Sequence, residues 1–232
     1  QGLPLSCAVN PSCGREEETK LTPALCKKNV LIIGGGLAGM EAARVCALRG
    51  HKVTLLEKSA YLGGNVRPGS VPDFKEDDRH LIEWYKTQLG KLPIKIKLNC
   101  SADRETAERS NADAVIVATG SNPIKLDFGN KNHIYAAEEL LLCPENAGKD
   151  VVVIGGGLVG CETGLWLKRM GKNVTIVEAT PQILGGGADM CFANYDMLKD
   201  LLAFENIPVL CSTRVTAVDD NSVTVQSEKG ED

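Results

Sequence analysis

The sequence reads VLIIGGGLAGMEAARVCALRGHKVTLLEK at residues 30–58 and VVVIGGGLVGCETGLWLKRMGKNVTIVEA at residues 151–179. In each stretch an apolar run leads into G-x-G-x-x-G, an amphipathic helix follows, and a second apolar run ends in an acid. A single G-x-G-x-x-G also occurs in Gly-rich turns of unrelated α/β proteins. Two copies that match in strand, helix and acid positions predict two dinucleotide-binding sites on one chain.

The glycine spacing has a physical reason. The first glycine permits a tight strand-to-helix turn, the second lets the backbone approach a pyrophosphate, and the third lets helix and strand pack closely. The phosphates then meet the free N–H groups at the helix N-terminus. The residues expected to line the two phosphate sites are Gly34, Gly36, Leu37, Ala38 and Gly39 in the first copy, and Gly155, Gly157, Leu158, Val159 and Gly160 in the second.

An acidic residue closes the second strand of each copy, Glu57 in the first and Glu178 in the second. A carboxylate at this position can accept hydrogen bonds from a ribose diol and would repel a 2′-phosphate. The second copy is therefore expected to bind NAD(H), while Lys172 and the loop after Glu178 leave NADPH open.

The fold class follows from this duplication. An α/β chain with two Rossmann-like domains of the FAD/NAD(P)-binding type is expected, with 43% hydrophobic residues among 232 supplying two modest cores. Residues 1–28 mix Pro, Gly and charge without a period and are interpreted as a leader or linker. Residues 29–122 form the predicted first nucleotide domain, and residues 123–232 the second.

Periodicity predicts the remaining elements. Residues 73–90 should form a helix that buries Phe74, Leu81, Ile82, Tyr85 and Leu89 on one face. Residues 94–99 alternate as a strand with one solvated face, residues 113–120 form an apolar strand, and a helix is expected over 189–205. The end of the chain should contain three short β-segments, with an Asp-Asp-Asn turn between the last two.

Composition excludes several classes of function. A net charge of −4 and 4% aromatic residues argue against nucleic acid as a partner. No apolar run approaches a membrane span, so a cytoplasmic protein is expected. Nine cysteines without a C-x-x-C pair argue against a disulfide framework, and no cluster has metal-ligand spacing. The oligomeric state stays open.

The chain resembles the C-terminal part of the NADH:flavin oxidoreductases built on an old-yellow-enzyme barrel, which include 2-enoate reductase, 2,4-dienoyl-CoA reductase and trimethylamine dehydrogenase. The resemblance covers nearly the whole chain. The doubled fingerprint is shared by all two-dinucleotide flavoproteins, whereas two further motifs narrow the family. They are CAVNP-CGREE at 7–18 and PDFKEDD at 72–78, with KLTP at 20–23, LGGN at 62–65 and DAVIVATGS at 113–121 in support.

The resemblance implies a fragment truncated at both ends. Cys7 would be one ligand of a [4Fe-4S] cluster whose other three cysteines lie before Gln1, and FMN would bind in a missing N-terminal barrel of the same protein. The family's later Gly-Asp segment for FAD is also missing from the sequence. The first copy would hold FAD through Glu57, Lys58, Gly63, Gly64, Asn65, Ala118, Thr119 and Gly120.

The resemblance also gives Glu162 two readings of equal weight. It matches an acid that lies near the nicotinamide in related flavoproteins, which makes it a weak catalytic candidate. A carboxylate near a helix N-terminus is also favoured by the helix dipole, and Glu41 holds the same place in the first copy.

The resemblance implies an electron-entry module in which NADH passes hydride to FAD. Electrons would continue through the cluster to FMN, where an activated C=C of the 2-enoate type is reduced. The alternative is a non-catalytic module that binds ADP, as in trimethylamine dehydrogenase. A disulfide or rubredoxin reductase is disfavoured, because no pair of cysteines in the sequence has redox spacing.

Overall fold

A computed structural model describes residues 7, 10–124, 126–128, 133–187, 190–227 and 230–231. The chain divides into two compact units. The first comprises residues 1–67 and 77–121, and the second comprises residues 68–76 and 122–232. Each unit contains one of the two glycine-rich fingerprints.

The first unit contains a four-stranded parallel sheet in the order β3-β2-β1-β4. The order places β1, which carries the fingerprint, between two neighbours. The strands and helices along residues 29–117 are β1 Asn29–Ile33, α1 Leu37–Leu48, β2 Lys52–Leu56, α2 Val66–Gly69, α3 Glu76–Gly90, β3 Ile94–Lys97, α4 Arg104–Arg109 and β4 Ala114–Val117. The second half of α2 and the first residue of α3 are assigned to the second unit.

One face of this sheet packs on α1 and α3 and forms the core of the first unit. Val30 and Ile32 of β1 are buried there with Met40 of α1 and Leu89 of α3. The predicted strand over 94–99 is confirmed as β3, with alternating half-buried isoleucines and exposed lysines. A short 3₁₀ turn at Asp73–Lys75 precedes α3.

The predicted apolar face of the 73–90 helix is only half correct. Ile82 and Leu89 are buried and Tyr85 packs beside them, whereas Leu81 is 37% exposed and Phe74 39% exposed. Phe74 lies before α3 begins, so it does not share the helical face that the spacing suggested.

The second unit repeats the βαβ arrangement in a parallel sheet of order β5-β6-β7. Its predicted helix over 189–205 is found at Phe192–Phe204, and Asp189 lies outside the described residues. The elements are α5 Ala137–Leu142, β5 Asp150–Ile154, α6 Leu158–Arg169, β6 Asn173–Val177, α7 Phe192–Phe204 and β7 Val209–Leu210. The core is formed by α6, α7 and one face of this sheet.

A second, antiparallel sheet ends the chain, with strands β8 Thr213–Val218, β9 Val223–Ser227 and β10 Gly230–Glu231. The predicted Asp-Asp-Asn turn joins β8 to β9, where the Asp219 amide donates to the Ser222 carbonyl at 2.9 Å. The short strand β10 was not expected as a separate element.

The segment Pro68–Glu76 belongs to the second unit although it lies within the predicted first domain. Val71 packs on the core of the second unit, and Ser70 is 3% exposed. The Arg169 guanidinium of α6 lies 5.7 Å from the ring centre of Phe74. Hydrophobic periodicity identifies an apolar surface but not the unit on which it packs.

Residues 10–28 contain turns but neither helix nor strand, and the role of this segment as a leader or linker stays a prediction. The Ala24 amide donates to the Arg49 carbonyl at 2.9 Å. The Lys28 amide donates to Nδ1 of His51 at 3.1 Å. Across the described part of the chain, each helix is too short or too polar to span a bilayer.

Candidate dinucleotide-binding sites

The turn between β1 and α1 has no room for side chains at its first and third motif glycines. Gly34 has a φ of +110°, and a Cβ placed on it would lie 2.2 Å from the Ala118 carbonyl oxygen. A Cβ on Gly39 would lie 1.8 Å from the Gly34 carbonyl oxygen. These contacts explain the first and third glycines by close backbone packing.

The second motif glycine faces the loop that contains Gly63, Gly64 and Asn65. The Gly63 amide donates to the Gly35 carbonyl at 2.9 Å, which ties the loop to the turn. A Cβ on Gly64 would lie 2.9 Å from the Gly36 Cα, whereas a Cβ on Gly36 would meet Gly64 only at 3.8 Å. The small residues therefore let two backbone segments approach each other at the start of α1.

Asn65 connects this loop to the residues that follow β4. Its Nδ2 donates to the Ser121 carbonyl at 3.3 Å. The structure thus brings three predicted segments of the first unit together: the glycine turn, the loop over 63–65 and the turn over 118–120. Thr119 and Gly120 are exposed, as is Lys58.

Glu57 is held by two backbone amides. Gly35 donates to its Oε2 at 2.6 Å and Ser59 donates to its Oε1 at 2.7 Å. The side chain is buried, with 8% exposed. Burial opposes ionisation, but the donors at Ser59 and Gly35 outweigh it and hold the pKa of Glu57 below its ordinary value. The carboxylate is thus fixed at the end of β2, with lone pairs to spare for further donors.

The turn between β5 and α6 repeats this geometry in the second unit. A Cβ on Gly160 would lie 1.9 Å from the Gly155 carbonyl oxygen, so the third glycine is again required by packing. A Cβ on Gly157 would have no described atom within 4 Å. Leu158 and Val159 are 44% and 61% exposed. The first turn of α6 is therefore open to a ligand.

A loop also packs on the second turn. The Leu184 amide donates to the Gly156 carbonyl at 2.7 Å, which matches the bond from Gly63 to Gly35. Leu184 is buried and adopts a left-handed φ of 58°. Sequence analysis did not predict that Gly63 and Leu184 make equivalent hydrogen bonds, because one position is glycine and the other is not.

Glu178 is held by one more donor than Glu57. Gly156 donates to its Oε2 at 2.6 Å, and both the amide and the hydroxyl of Thr180 donate to its Oε1 at 2.7 Å. Burial alone would raise the pKa of Glu178. The hydrogen bonds from these donors lower it by more than burial raises it, so the pKa of Glu178 lies below its ordinary value. Ser59 and Thr180 were not singled out from the sequence.

Glu162 and Glu41 hold the same place on their helices but have different partners. Lys75, from the segment that joins the second unit, lies 2.6 Å from the Glu162 carboxylate, with side chains 28% and 25% exposed. Glu41 instead binds Arg44 on its own helix, at 2.7 Å. A helix-start role alone does not account for the partner of Glu162, which comes from a distant part of the sequence.

The described cysteines are all free. Cys7 is exposed, whereas Cys161 is buried in α6 and its thiol donates to the Gly156 carbonyl at 3.3 Å. Burial raises the pKa of Cys161 to about 12. Among the residues that the structure describes, no three His, Cys, Asp or Glu side chains are grouped as a metal site. The role of Cys7 stays a prediction.

Comparisons with known proteins agree with this geometry. The family described as pyridine nucleotide-disulphide oxidoreductase matches residues 28–232. Cinnamate reductase of Clostridium sporogenes is 52% identical over 96% of this chain and 34% of its own length. NADH oxidase of Thermoanaerobacter brockii is 40% identical over 79% of this chain and 29% of its own length.

A solved structure of 2-naphthoyl-CoA reductase has the same fold as this chain, with a TM-score of 0.88 and 32% sequence identity. The match covers 97% of this chain and 34% of that one. The chain thus spans about a third of the length of the relatives it matches. The α/β fold with two nucleotide-binding units and the resemblance to enoate reductases are both confirmed.

Proposed function

Because the chain belongs to the pyridine nucleotide-disulphide oxidoreductase family, we propose that it is the electron-entry module of a longer flavoprotein reductase. The first unit binds FAD and the second binds NADH. The observation that carries the proposal is the duplicated contact of Gly35 with Glu57 and of Gly156 with Glu178, at 2.6 Å in both units.

The residues of the first unit have the chemical groups that FAD binding requires. The free N–H groups at the start of α1 suit a pyrophosphate, and Gly36 leaves them uncovered by a side chain. Glu57 accepts from the ribose hydroxyls of the adenosine half. Lys58, Asn65 and the turn over 118–120 lie on the loops that surround this site. When bound, the flavin supplies hydride acceptance and the ability to release electrons singly.

NADH fits the second unit on the same grounds. Gly157 has open space where a Cβ would be, so a pyrophosphate can reach the amides of α6. Glu178 is ionised at neutral pH, its pKa being lowered from an already acidic value, and the carboxylate accepts from a ribose diol. The same charge disfavours the 2′-phosphate of NADPH.

Glu162 is proposed to position the nicotinamide end of NADH. Lys75 holds the Glu162 carboxylate in one orientation through their 2.6 Å contact, and a carboxylate can accept from the carboxamide of the nicotinamide. The pair supplies orientation and requires no proton transfer by either side chain.

The destination of the electrons is a finer part of the proposal. Relatives of this chain are a cinnamate reductase and an NADH oxidase, and each is about three times as long as the part that matches. We infer that Cys7 is one of four cysteines around a [4Fe-4S] cluster in the longer protein. FMN in a barrel of that protein would then reduce an activated C=C.

The test uses the purified chain supplied with FAD under anaerobic conditions. The expected result is a yellow protein whose flavin absorption bleaches on addition of NADH. A matched Gly36→Ala variant should lose the colour, and Gly157→Ala should keep the colour but lose the bleaching. A colourless chain that binds only ADP would instead support a structural nucleotide-binding module.

A further inference from the structure

The two faces of the parallel sheet in the first unit have different surroundings. Side chains alternate between the faces, and Val30 and Ile32 belong to the core formed with α1 and α3. Leu31 of β1 and Leu56 of β2 point to the opposite face, where they are 3% and 4% exposed. Together with β3 and the C-terminal end of α4, these two leucines line a cavity of about 570 Å³.

Positive charge is concentrated around this cavity. Lys52, Lys95, Lys97 and Arg109 line it, and none of its lining residues is Asp or Glu. Arg109 pairs with Glu105 on its own helix, whereas the three lysines have no ion pair within the parts of the chain that the structure describes. The whole chain has a net charge of −4, so this cluster does not follow from composition. Cations without partners repel one another, and a bound anion relieves that repulsion.

The strand register arranges the charges around an apolar floor. Leu31, Thr54 and Lys95 form one row across β1, β2 and β3. Leu56 and Lys97 lie opposite each other in the next row of the same face. The half-buried Thr54 hydroxyl has no hydrogen-bond partner among the described residues. An occupant of the cavity therefore meets two leucines, an available hydroxyl and the lysine ammonium groups.

The duplicated second unit shows that the βαβ fold does not require these cations. The Lys97 carbonyl accepts from the amide of the acid that follows β2, at 2.9 Å, and the Leu210 carbonyl accepts from the acid that follows β6, at 2.8 Å. Lys97 and Leu210 are therefore equivalent. With the duplicated units aligned in this way, the positions of Lys52, Lys95 and Lys97 are occupied in the second unit by Asn173, Pro208 and Leu210.

We propose that this cavity binds a small organic anion with two or more carboxylate groups on an apolar body. The apolar body lies over Leu31 and Leu56, and the carboxylates pair with the three lysines. The volume lies within the range of about 300–1,000 Å³ that is typical of small-molecule sites. The cavity is separate from the expected FAD site, since its lining includes neither the glycine turn nor the loops over 63–65 and 118–120. The proposal therefore does not depend on FAD binding.

The backbone around the cavity favours carboxylate over phosphate. Phosphate sites commonly use the free N–H groups of a helix N-terminus. The helix that lines this cavity presents its C-terminal end, through Arg109 and Ser110. The amides of β2 lie between two neighbouring parallel strands. Recognition therefore depends on the lysine side chains, whose compact charges pair with carboxylates.

The test uses benzene-1,3,5-tricarboxylate as the probe, with binding to the purified chain measured by calorimetry. A Lys95→Gln/Lys97→Gln variant should bind it about tenfold or more weakly, because two charge-assisted contacts are lost. The matched control is Lys86→Gln/Lys91→Gln, which removes two charges at the end of α3 and outside the cavity lining. The control should bind as the wild type does. Equal loss of affinity in the two variants would overturn the proposal.

Three further measurements locate the probe and define its chemistry. In methyl NMR spectra of the wild type, the probe should shift Leu31 and Leu56 but leave Leu165, in the second unit, unchanged. Tripolyphosphate, which has charge but no apolar body, should bind about tenfold more weakly than the tricarboxylate. The full-length protein should bind the tricarboxylate as the chain does. Unshifted methyl groups of both Leu31 and Leu56, tripolyphosphate binding as tight as that of the tricarboxylate, or loss of binding in the full-length protein would each overturn the proposal.

Discussion

The backbone amide of Gly156 donates to the Glu178 carboxylate at 2.6 Å. The middle residue of the glycine triplet thus fixes the acid at the end of the next strand. Gly35 and Glu57 repeat the contact at the same distance. Each acid is therefore oriented by the turn whose amides are proposed to meet the phosphates, and this coupling gives the acid a defined position before any ligand arrives.

Glu178→Arg should shift the nucleotide preference of the full-length protein from NADH towards NADPH. Arginine replaces a charge that repels the 2′-phosphate with one that attracts it. The measurement is flavin bleaching during titration with each nucleotide, and the ratio of the two affinities should change by about tenfold or more. Glu145→Arg, the same charge change at an exposed position of the second unit, should leave the ratio unchanged. A preference that Glu178→Arg does not alter would contradict the ribose role.

Acid should weaken the fold partly through Glu57 and Glu178. Both have a pKa below the ordinary value of 4.5 in the folded chain, so their contribution is complete above that value and is lost as the pH falls through the folded pKa. The free energy of unfolding should be measured by denaturant titration against pH. The gap between the wild type and a Glu57→Gln/Glu178→Gln variant should narrow below pH 4.5. A constant gap would show that the amide contacts do not depend on charge.

The repeated fingerprint was sufficient to predict both βαβ units, because glycine spacing and strand patterning are local properties of the sequence. Strand β3 and the hairpin β8–β9 were predicted for the same reason. The partner of Glu162 could not be predicted, since Lys75 reaches it through tertiary packing. The prediction that Phe74 is buried on the helix face was wrong for the same reason. The sequence shows that Phe74 is apolar, but it does not show the contact of Phe74 with Arg169 in the second unit.

Gly157→Ala and Gly160→Ala should separate binding from folding. Gly157 has open space at its Cβ and ordinary φ, so alanine should cost less than about 1 kcal/mol of stability but should weaken NADH binding. Gly160→Ala forces a methyl group against the Gly155 carbonyl and should cost about 1–3 kcal/mol or more. Thermal unfolding and NADH titration of both variants provide the measurement. Equal stability of the two variants would contradict the packing role of Gly160.

Cys161 should resist alkylation while exposed cysteines react. Its thiol is buried and its pKa is raised to about 12, so the reactive thiolate is scarce at pH 8. Cys143 and Cys191 are exposed and serve as internal references. Mass spectrometry after brief treatment of the folded chain with iodoacetamide should find both references modified and Cys161 intact. Modification of Cys161 at the rate of Cys143 would show that α6 opens readily.

Lys75→Met should weaken binding at the nicotinamide end of the second site without affecting the adenosine end. The substitution keeps much of the side-chain length but removes the charge that holds Glu162, and the partly buried pair should cost about 1–2 kcal/mol of stability. Trp166, in the second unit, reports this unfolding in a Trp84→Phe background. NAD⁺ should bind more weakly, whereas ADP-ribose, which lacks the nicotinamide, should bind as before.

Lys86→Met, which breaks the more exposed pair with Glu83, is the matched control and should cost less than about 0.5 kcal/mol. Equal loss of affinity for both ligands would show that the pair supports the fold of the site and does not position the nicotinamide.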